Sequence, residues 1–312
     1  MKVAFIIGSE GQDGILLSRF LKEKDYQIIG FSRSKNPSNK WVAENLFVDL
    51  SKNNFLPFIE TIRYYKPSEL YYFAAYHTSS QQKSDLSIDE INRSTAINYS
   101  AFVKIIDLCR EFSPQTKIQF TSSSLIFSGC NSEIQSENTV AKPTCLYSLN
   151  KLASMNAAKF YRNNFNMFVS VGIMYNHESV FRKNYFLSKK IIEQVRDFKD
   201  GKINEITIGN LDAVTDWGYA PDYVEALWHL VQLNQSDDYI ISSGIGHQVK
   251  DWFLILEDHL EIKIMQNIQI DASLVNRKKP TLIGDNSKLL STGWKPKHDF
   301  KRMIIKMYNN EI

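Results

Sequence analysis

Along the first 173 residues, short apolar runs alternate with amphipathic helical patterns, and the runs are too uniformly apolar to have one face in water. A strand buried on both faces belongs to a parallel sheet, whose crossover connections lay helices over both sides. The pattern predicts strands at Val3–Ile7, Gln27–Ser32, Asn45–Val48, Glu69–Phe73, Ile118–Ser122 and Met167–Gly172. Helices are expected between them near Gly14–Lys24, Phe55–Tyr65, Ile91–Phe112 and Leu146–Arg162. Six strands with intervening helices is the count of a doubly wound α/β, or Rossmann, fold.

Past residue 174 the pattern loosens into loops and shorter helices, with helices expected at Phe186–Phe198 and Asp222–Leu233. No Gly/Ser linker marks a boundary, and there is no internal repeat. Residues 1–173 are therefore expected to form a dinucleotide-binding core, with 220–245 packing back onto it. Residues 174–219 and 246–312 then form a smaller C-terminal substrate-binding lobe.

Charge narrows the partners. With 37 basic and 34 acidic side chains, nothing electrostatic points to nucleic acid or to an anionic membrane. Cys109, Cys130 and Cys145 form no CxxC or Cys/His group of metal-ligand spacing, so reduced thiols and no metal are expected. The apolar run after Lys2 is too short for a signal segment or a membrane span, and a cytoplasmic location is expected.

Gly8, Gly11 and Gly14 follow the first strand at GxxGxxG spacing and open the first helix. The first permits a tight turn, the second lets a pyrophosphate approach the backbone, and the third allows close helix packing. Phosphates then meet the helix N-terminus, where unpaired N–H groups and the dipole favour negative charge. A purely structural turn is the competing reading. The second strand ends Ser32-Arg33-Ser34-Lys35 without an acidic residue, which favours NADP(H) over NAD(H) unless these are ordinary solvated charges. Asp49, ahead of Leu50, can accept from an adenine amino group or cap a helix.

Tyrosine has an ordinary pKa of about 10 and needs help to exchange protons near neutrality. Tyr147 and Lys151 stand one helical turn apart on one face, so the lysine charge favours the phenolate, and Ser123 comes from the preceding strand end. Together with a nicotinamide cofactor, such a serine, tyrosine and lysine can oxidise an alcohol or reduce a ketone.

With these residues the chain resembles the extended short-chain dehydrogenase/reductases that modify nucleotide-activated sugars, and among them the GDP-mannose 4,6-dehydratase family. The resemblance runs nearly end to end. It rests on Gly8 through Gly14 with Gln12-Asp13, on Phe73-Ala74-Ala75, and on Tyr175-Asn176-His177-Glu178-Ser179. It continues through Gly209-Asn210-Leu211-Asp212-Ala213, Asp216-Trp217-Gly218, Asp222-Tyr223-Val224-Glu225-Ala226 and Thr292-Gly293-Trp294-Lys295-Pro296. The resemblance implies a tightly held NADP contacted by Gln12, Asp13, Arg33, Ser34, Asp49, Leu50, Ala74, Ala75, Tyr147 and Lys151 as well as the glycines. It also implies a GDP-sugar touching Ser124, Leu125, Asn176, Glu178, Lys190 and Asn210, in a homodimer or homotetramer. The pattern Ile91–Phe112 could pair with its copy or pack within one chain.

The departures carry information too. The family places a glutamate after the serine/threonine stretch to remove the C5 proton; by spacing that position is Leu125. Thr215 replaces a basic residue before Asp-Trp-Gly, and Val180, Phe181 and Arg182 stand where the family has a proline and paired arginines. Arg277 either supplies the missing charge or belongs to a solvated run with Lys278 and Lys279. A positioned acid or base contributes roughly 10² to 10⁴ in rate, so elimination should suffer while hydride transfer at C4 keeps its residues. The expected activity is therefore a 4-keto-sugar reductase of surface-polysaccharide sugar biosynthesis, or in other directions a C4 dehydrogenase or epimerase. A 4,6-dehydratase with His77 or Glu178 as base is the second reading. A catalytically idle nucleotide-binding subunit is the third.

Overall fold

The computed structural model describes residues 1–52, 54–77, 87–275 and 281–312. From the N-terminus, β1 (Val3–Ile7) leads through the glycine turn into α1 (Gln12–Lys22), then β2 (Gln27–Ser32), β3 (Glu44–Phe47), α2 (Leu56–Tyr65) and β4 (Glu69–Tyr72). Next come α3 (Ile88–Thr95), α4 (Ala101–Phe112), β5 (Lys117–Ser123), β6 (Ile134–Gln135), α5 (Leu146–Phe165) and β7 (Val169–Met174). The remainder supplies β8 (Asn176–Glu178), α6 (Leu187–Lys199), β9 (Ile206–Ile208), β10 (Val214–Tyr219), α7 (Ala220–Gln232) and β11 (Asp238–Ile241). The chain ends with β12 (Gly246–Gln248), α8 (Val249–Leu260), β13 (Ile268–Ile270), β14 (Ile283–Gly284), α9 (Ser287–Ser291) and α10 (Phe300–Asn309).

Alternation along β1 explains the layering. Ala4 and Ile6 face Leu16, Leu17 and Leu21 of α1 and Val224 and Val231 of α7. Phe5 and Ile7 face the opposite layer, with Phe58 of α2, Phe102 and Ile106 of α4 and Ala158 of α5. Helices thus cover both faces of a sheet ordered β11-β7-β5-β4-β1-β2-β3, whose neighbours all run parallel. The order reverses between β1 and β4, the crevice where open α/β sheets take ligands.

Two local expectations change. The sheet has seven strands and not six, because Asp238–Ile241 joins its edge beside β7. Four residues with a single strand neighbour carry too little periodicity to stand out in sequence. The helix expected over Ile91–Phe112 starts at Ile88 and is interrupted by a π-helical turn, Ala96–Ser100. Such turns insert a residue and re-aim side chains, often at functional sites.

Among the described residues, segments expected as loops form three small sheets, β12-β10-β8, β13-β9 and β14-β6, the last joining the chain after β7 to the segment before α5. Their strands are short and most find partners remote in sequence, so tertiary packing and not local pattern creates them. A second apolar cluster gathers Ile191, Ile192 and Val195 of α6 with Trp217, Trp252, Phe253, Met303 and Ile304. Among the described residues no helix is long and apolar enough to cross a membrane, and no group of three or more side chains could hold a metal ion.

Asp216 on β10 fastens these pieces together. Its fully buried carboxylate accepts from Ser243 N and Oγ (2.9 and 2.6 Å), from Gly244 N (3.1 Å) and from Gly284 N on β14 (3.1 Å). Removing it strands the buried Gly284 amide and the partly buried donors of the Ser243–Gly244 turn. We expect Asp216→Ala to lower the unfolding free energy in urea by about 2–4 kcal/mol, with Asp216→Asn recovering part of the loss.

Candidate active site

The glycine turn is shaped by close backbone approach. Gly8 has φ +95°, and a β-carbon on it would stand 2.8 Å from Ala74 N; one on Gly14 would stand 2.4 Å from the Gly8 carbonyl oxygen. Gly8 N donates to Phe31 O (2.8 Å), which holds the turn against the end of β2. No side chain caps α1 at Gly11, so its first-turn amides face the turn without a side-chain acceptor. This cradle suits phosphate oxygens, and its residues fit a dinucleotide. Ala74 and Ala75 lie beyond β4, alongside Gly8. Arg33 is exposed and Ser34 partly so at the tip of β2. Asp49 begins the turn containing buried Leu50 and accepts from Ser51 N (3.0 Å) and Oγ (2.6 Å), which holds its carboxyl below the usual range. One oxygen of Asp49 thus serves as a cap.

Gln12 and Asp13 reach sideways to the segment after β7. His177 Nε2 lies 3.1 and 3.2 Å from the two Asp13 oxygens, while its Nδ1 is 2.7 Å from Tyr175 O. Gln12 donates to His177 O (3.2 Å) and accepts from Ser179 Oγ (2.9 Å). Burial alone would raise the Asp13 pKa and lower that of His177. Their mutual charge and hydrogen bond outweigh it, so Asp13 sits below its ordinary 3.8 and His177 above its ordinary 6.5. Protonated His177 with ionised Asp13 is the favoured form.

Ser123, Tyr147 and Lys151 meet where β5 ends beside the start of α5. Tyr147 is hydrogen-bonded with Ser123, yet burial raises its pKa well above the ordinary value. Burial pushes Lys151 the other way, down to about 7, despite the Asp13 charge. Lys151 Nζ donates to Thr121 O (2.7 Å) and lies 5.7 Å from the Tyr147 ring centre. The set can exchange a proton with a bound oxygen, and its raised pKa keeps the phenol protonated at neutral pH.

Leu125 lies on the short helical turn Ser124–Phe127 that opens at Ser123, its amide donating to Ser123 Oγ (3.3 Å). Its side chain is partly buried against the main core, and Ser124 is buried. Asn176 is exposed on β8. Glu178 instead turns inward, accepting from Ser188 Oγ (2.5 Å) and pairing with Arg182 (3.0 Å), so it braces α6 from below the surface. Lys190 is partly buried on α6. Asn210 is exposed and accepts from Asp212 N (2.8 Å) in a local turn; its neighbour Gly209 packs on Leu274 and Val275. Arg277 lies outside the described residues. β8 and β10 pair in parallel, with Asn176, His177 and Glu178 opposite Trp217, Gly218 and Tyr219.

Two residues, Asn98 and Glu10, escaped the sequence reading. Asn98, buried in the π-helical turn, accepts from Tyr76 N (2.9 Å) and donates to Tyr76 O (2.8 Å), positioning the segment that carries His77. The His77 ring stands edge-on to Tyr147 at 4.6 Å. Glu10, inside the glycine turn, binds the segment after β2 through Ser38 and Asn39. Only a broken helical period at Asn98 and an acidic residue between two glycines could have signalled them.

Residues 5–307 match the family model for GDP-mannose 4,6 dehydratase. The GDP-mannose 4,6 dehydratase of Drosophila melanogaster is 28% identical over 345 positions, spanning 100% of this chain and 86% of that one. The Cricetulus griseus enzyme of the same name is 30% identical over 268 positions, covering 80% of this chain and 70% of its own. The fold is that of a Bacillus anthracis dTDP-glucose 4,6-dehydratase solved with NAD, at TM-score 0.82 and 17% identity over 99% of this chain and 96% of that one. A Thermus thermophilus UDP-glucose 4-epimerase solved with NAD also gives TM-score 0.82, at 16% identity over 99% and 98%.

The Asp13–His177 pair has a defined pH signature. The raised His177 pKa contributes stability fully present below 6.5 and lost as pH rises through the folded value; the lowered Asp13 pKa contributes above 3.8 and is lost as pH falls through its folded value. The destabilisation caused by His177→Gln should therefore be greatest near pH 5–6 and shrink by pH 8.5, measured by denaturant unfolding at each pH.

Proposed function

The chain belongs to the GDP-mannose 4,6-dehydratase family, and on that premise we propose that it is an oxidoreductase acting at C4 of a GDP-linked sugar, reducing a 4-keto group to an alcohol. The observation that carries this reading is the Ser123–Tyr147–Lys151 cluster beside an apolar Leu125. A bound nicotinamide dinucleotide supplies the hydride that reaches C4. Ser123 holds the carbonyl oxygen, and Tyr147 delivers its proton to that oxygen as the carbonyl becomes an alcohol. The raised Tyr147 pKa suits the donor role, since the phenol is protonated before reaction. Lys151 places its charge beneath the ring and binds the nicotinamide ribose. Asn176, Lys190, Asn210 and Arg277 are assigned to the sugar diphosphate and nucleotide.

The coarse cofactor class follows from the glycine cradle. Arg33 and Lys35, taken alone, draw a 2′-phosphate and favour NADP(H). Exposed apolar side chains on α3 and α5, Ile88, Ile91, Leu149 and Phe160, support a homodimer that covers this face.

One observation favours a second reading. His77 against the Tyr147 ring is a titratable group at the centre, a candidate base for a surviving 4,6-dehydratase, whereas Glu178 is engaged by Arg182 and Ser188. The experiment offers GDP-mannose and a GDP-4-keto-6-deoxy sugar separately. We expect oxidation of the reduced cofactor only with the keto sugar, and a fall in kcat of about 10²–10⁴ in Tyr147→Phe. Leu125→Glu should keep that reduction and gain some loss of water from GDP-mannose. Loss of water by the unaltered protein, abolished in His77→Ala, replaces the reductase with the dehydratase. Binding without turnover of either sugar leaves an idle subunit.

A further inference from the structure

The crevice holds an acidic group where the sequence reading found none. Gly8 N and Ser9 N both donate to Phe31 O (2.8 and 3.3 Å), so the glycine turn and the end of β2 form adjoining walls. In this fold the adenosine ribose lies between those walls, and a carboxylate there accepts from its hydroxyls and repels a 2′-phosphate. Glu10 projects from the turn toward the β2 side. Its Oε2 accepts from Ser38 N (2.8 Å) and Ser38 Oγ (2.9 Å), and its Oε1 from Asn39 N (3.1 Å) and Asn45 Nδ2 (2.9 Å). Asn39 is itself anchored, donating to Ser9 O (2.8 Å) and Ser18 Oγ (3.0 Å).

We propose that Glu10 is a specificity-determining residue that selects NAD(H) over NADP(H). Four neutral donors fix its carboxylate in place without a cation to cancel a charge on it. A 2′-phosphate, carrying most of two negative charges, would be placed beside it. Arg33 and Lys35 do not offset this effect, because both are exposed at the strand tip, where solvent and salt screen them, while Glu10 is partly buried. The arrangement reverses the NADP(H) preference expected from the strand tip alone. It rests on the proposed dinucleotide reading of the glycine turn.

The test titrates the purified full-length protein, stripped of nucleotide, with NADH and separately with NADPH, following nicotinamide fluorescence. Nucleotide released from untreated protein is identified by mass. We expect NADH to bind about tenfold more tightly than NADPH, and NAD(H) to be the nucleotide released. Glu10→Gln and Glu10→Thr should each move the ratio of the two dissociation constants about tenfold toward NADPH. Two variants are needed because a carboxamide turns one acceptor into a donor facing Ser38 or Asn39; the ratio, unlike either constant, is insensitive to general loosening of the turn. Tighter NADPH binding by the unaltered protein, or an unchanged ratio in both variants, overturns the role of Glu10. Failure of either nucleotide to bind overturns the dinucleotide reading as well.

Discussion

The bond between Asp13 and His177 joins two parts of the molecule that the chain keeps 164 residues apart. Asp13 belongs to the first turn of α1, and His177 to β8, which pairs with β10. Gln12 and Ser179 reinforce the contact from either side. The glycine turn and β8 are therefore one hydrogen-bonded unit. Other features of the site rest on that unit: Asp13 also acts electrostatically on both Tyr147 and Lys151.

Burial tunes the candidate reacting groups in opposite senses. It raises Tyr147 and lowers Lys151, because a low-dielectric setting penalises whichever form is charged. A lysine brought to about 7 is a weak electrostatic aid until an anionic or polar ligand enters. With the Tyr147 phenol held protonated, the centre is set to donate a proton. Beside it, Leu125 offers neither acid nor base, and the inward-facing Glu178 is committed to Arg182 and Ser188.

The legible parts of the site were those with fixed local spacing. Three glycines at intervals of three, and a tyrosine and lysine one helical turn apart, carry their geometry in the sequence itself. Glu10 and Asn98 do not. Glu10 matters because of Ser38, Asn39 and Asn45, and Asn98 because of Tyr76, all distant residues whose approach depends on how strands and helices pack. The inward turn of Glu178 is hidden for the same reason, since motif position does not say which way a side chain turns.

What the sequence determined by itself is the doubly wound sheet, the family and the positions of the glycine turn, Tyr147 and Lys151, because strand and helix periods and short spacings are local properties. The seventh strand, the three small sheets, the π-helical turn at Asn98 and the carboxylate wall at Glu10 were decided only by the tertiary structure. Each depends on pairing between segments far apart in the chain, and a linear pattern holds no record of which distant donors will meet a given acceptor.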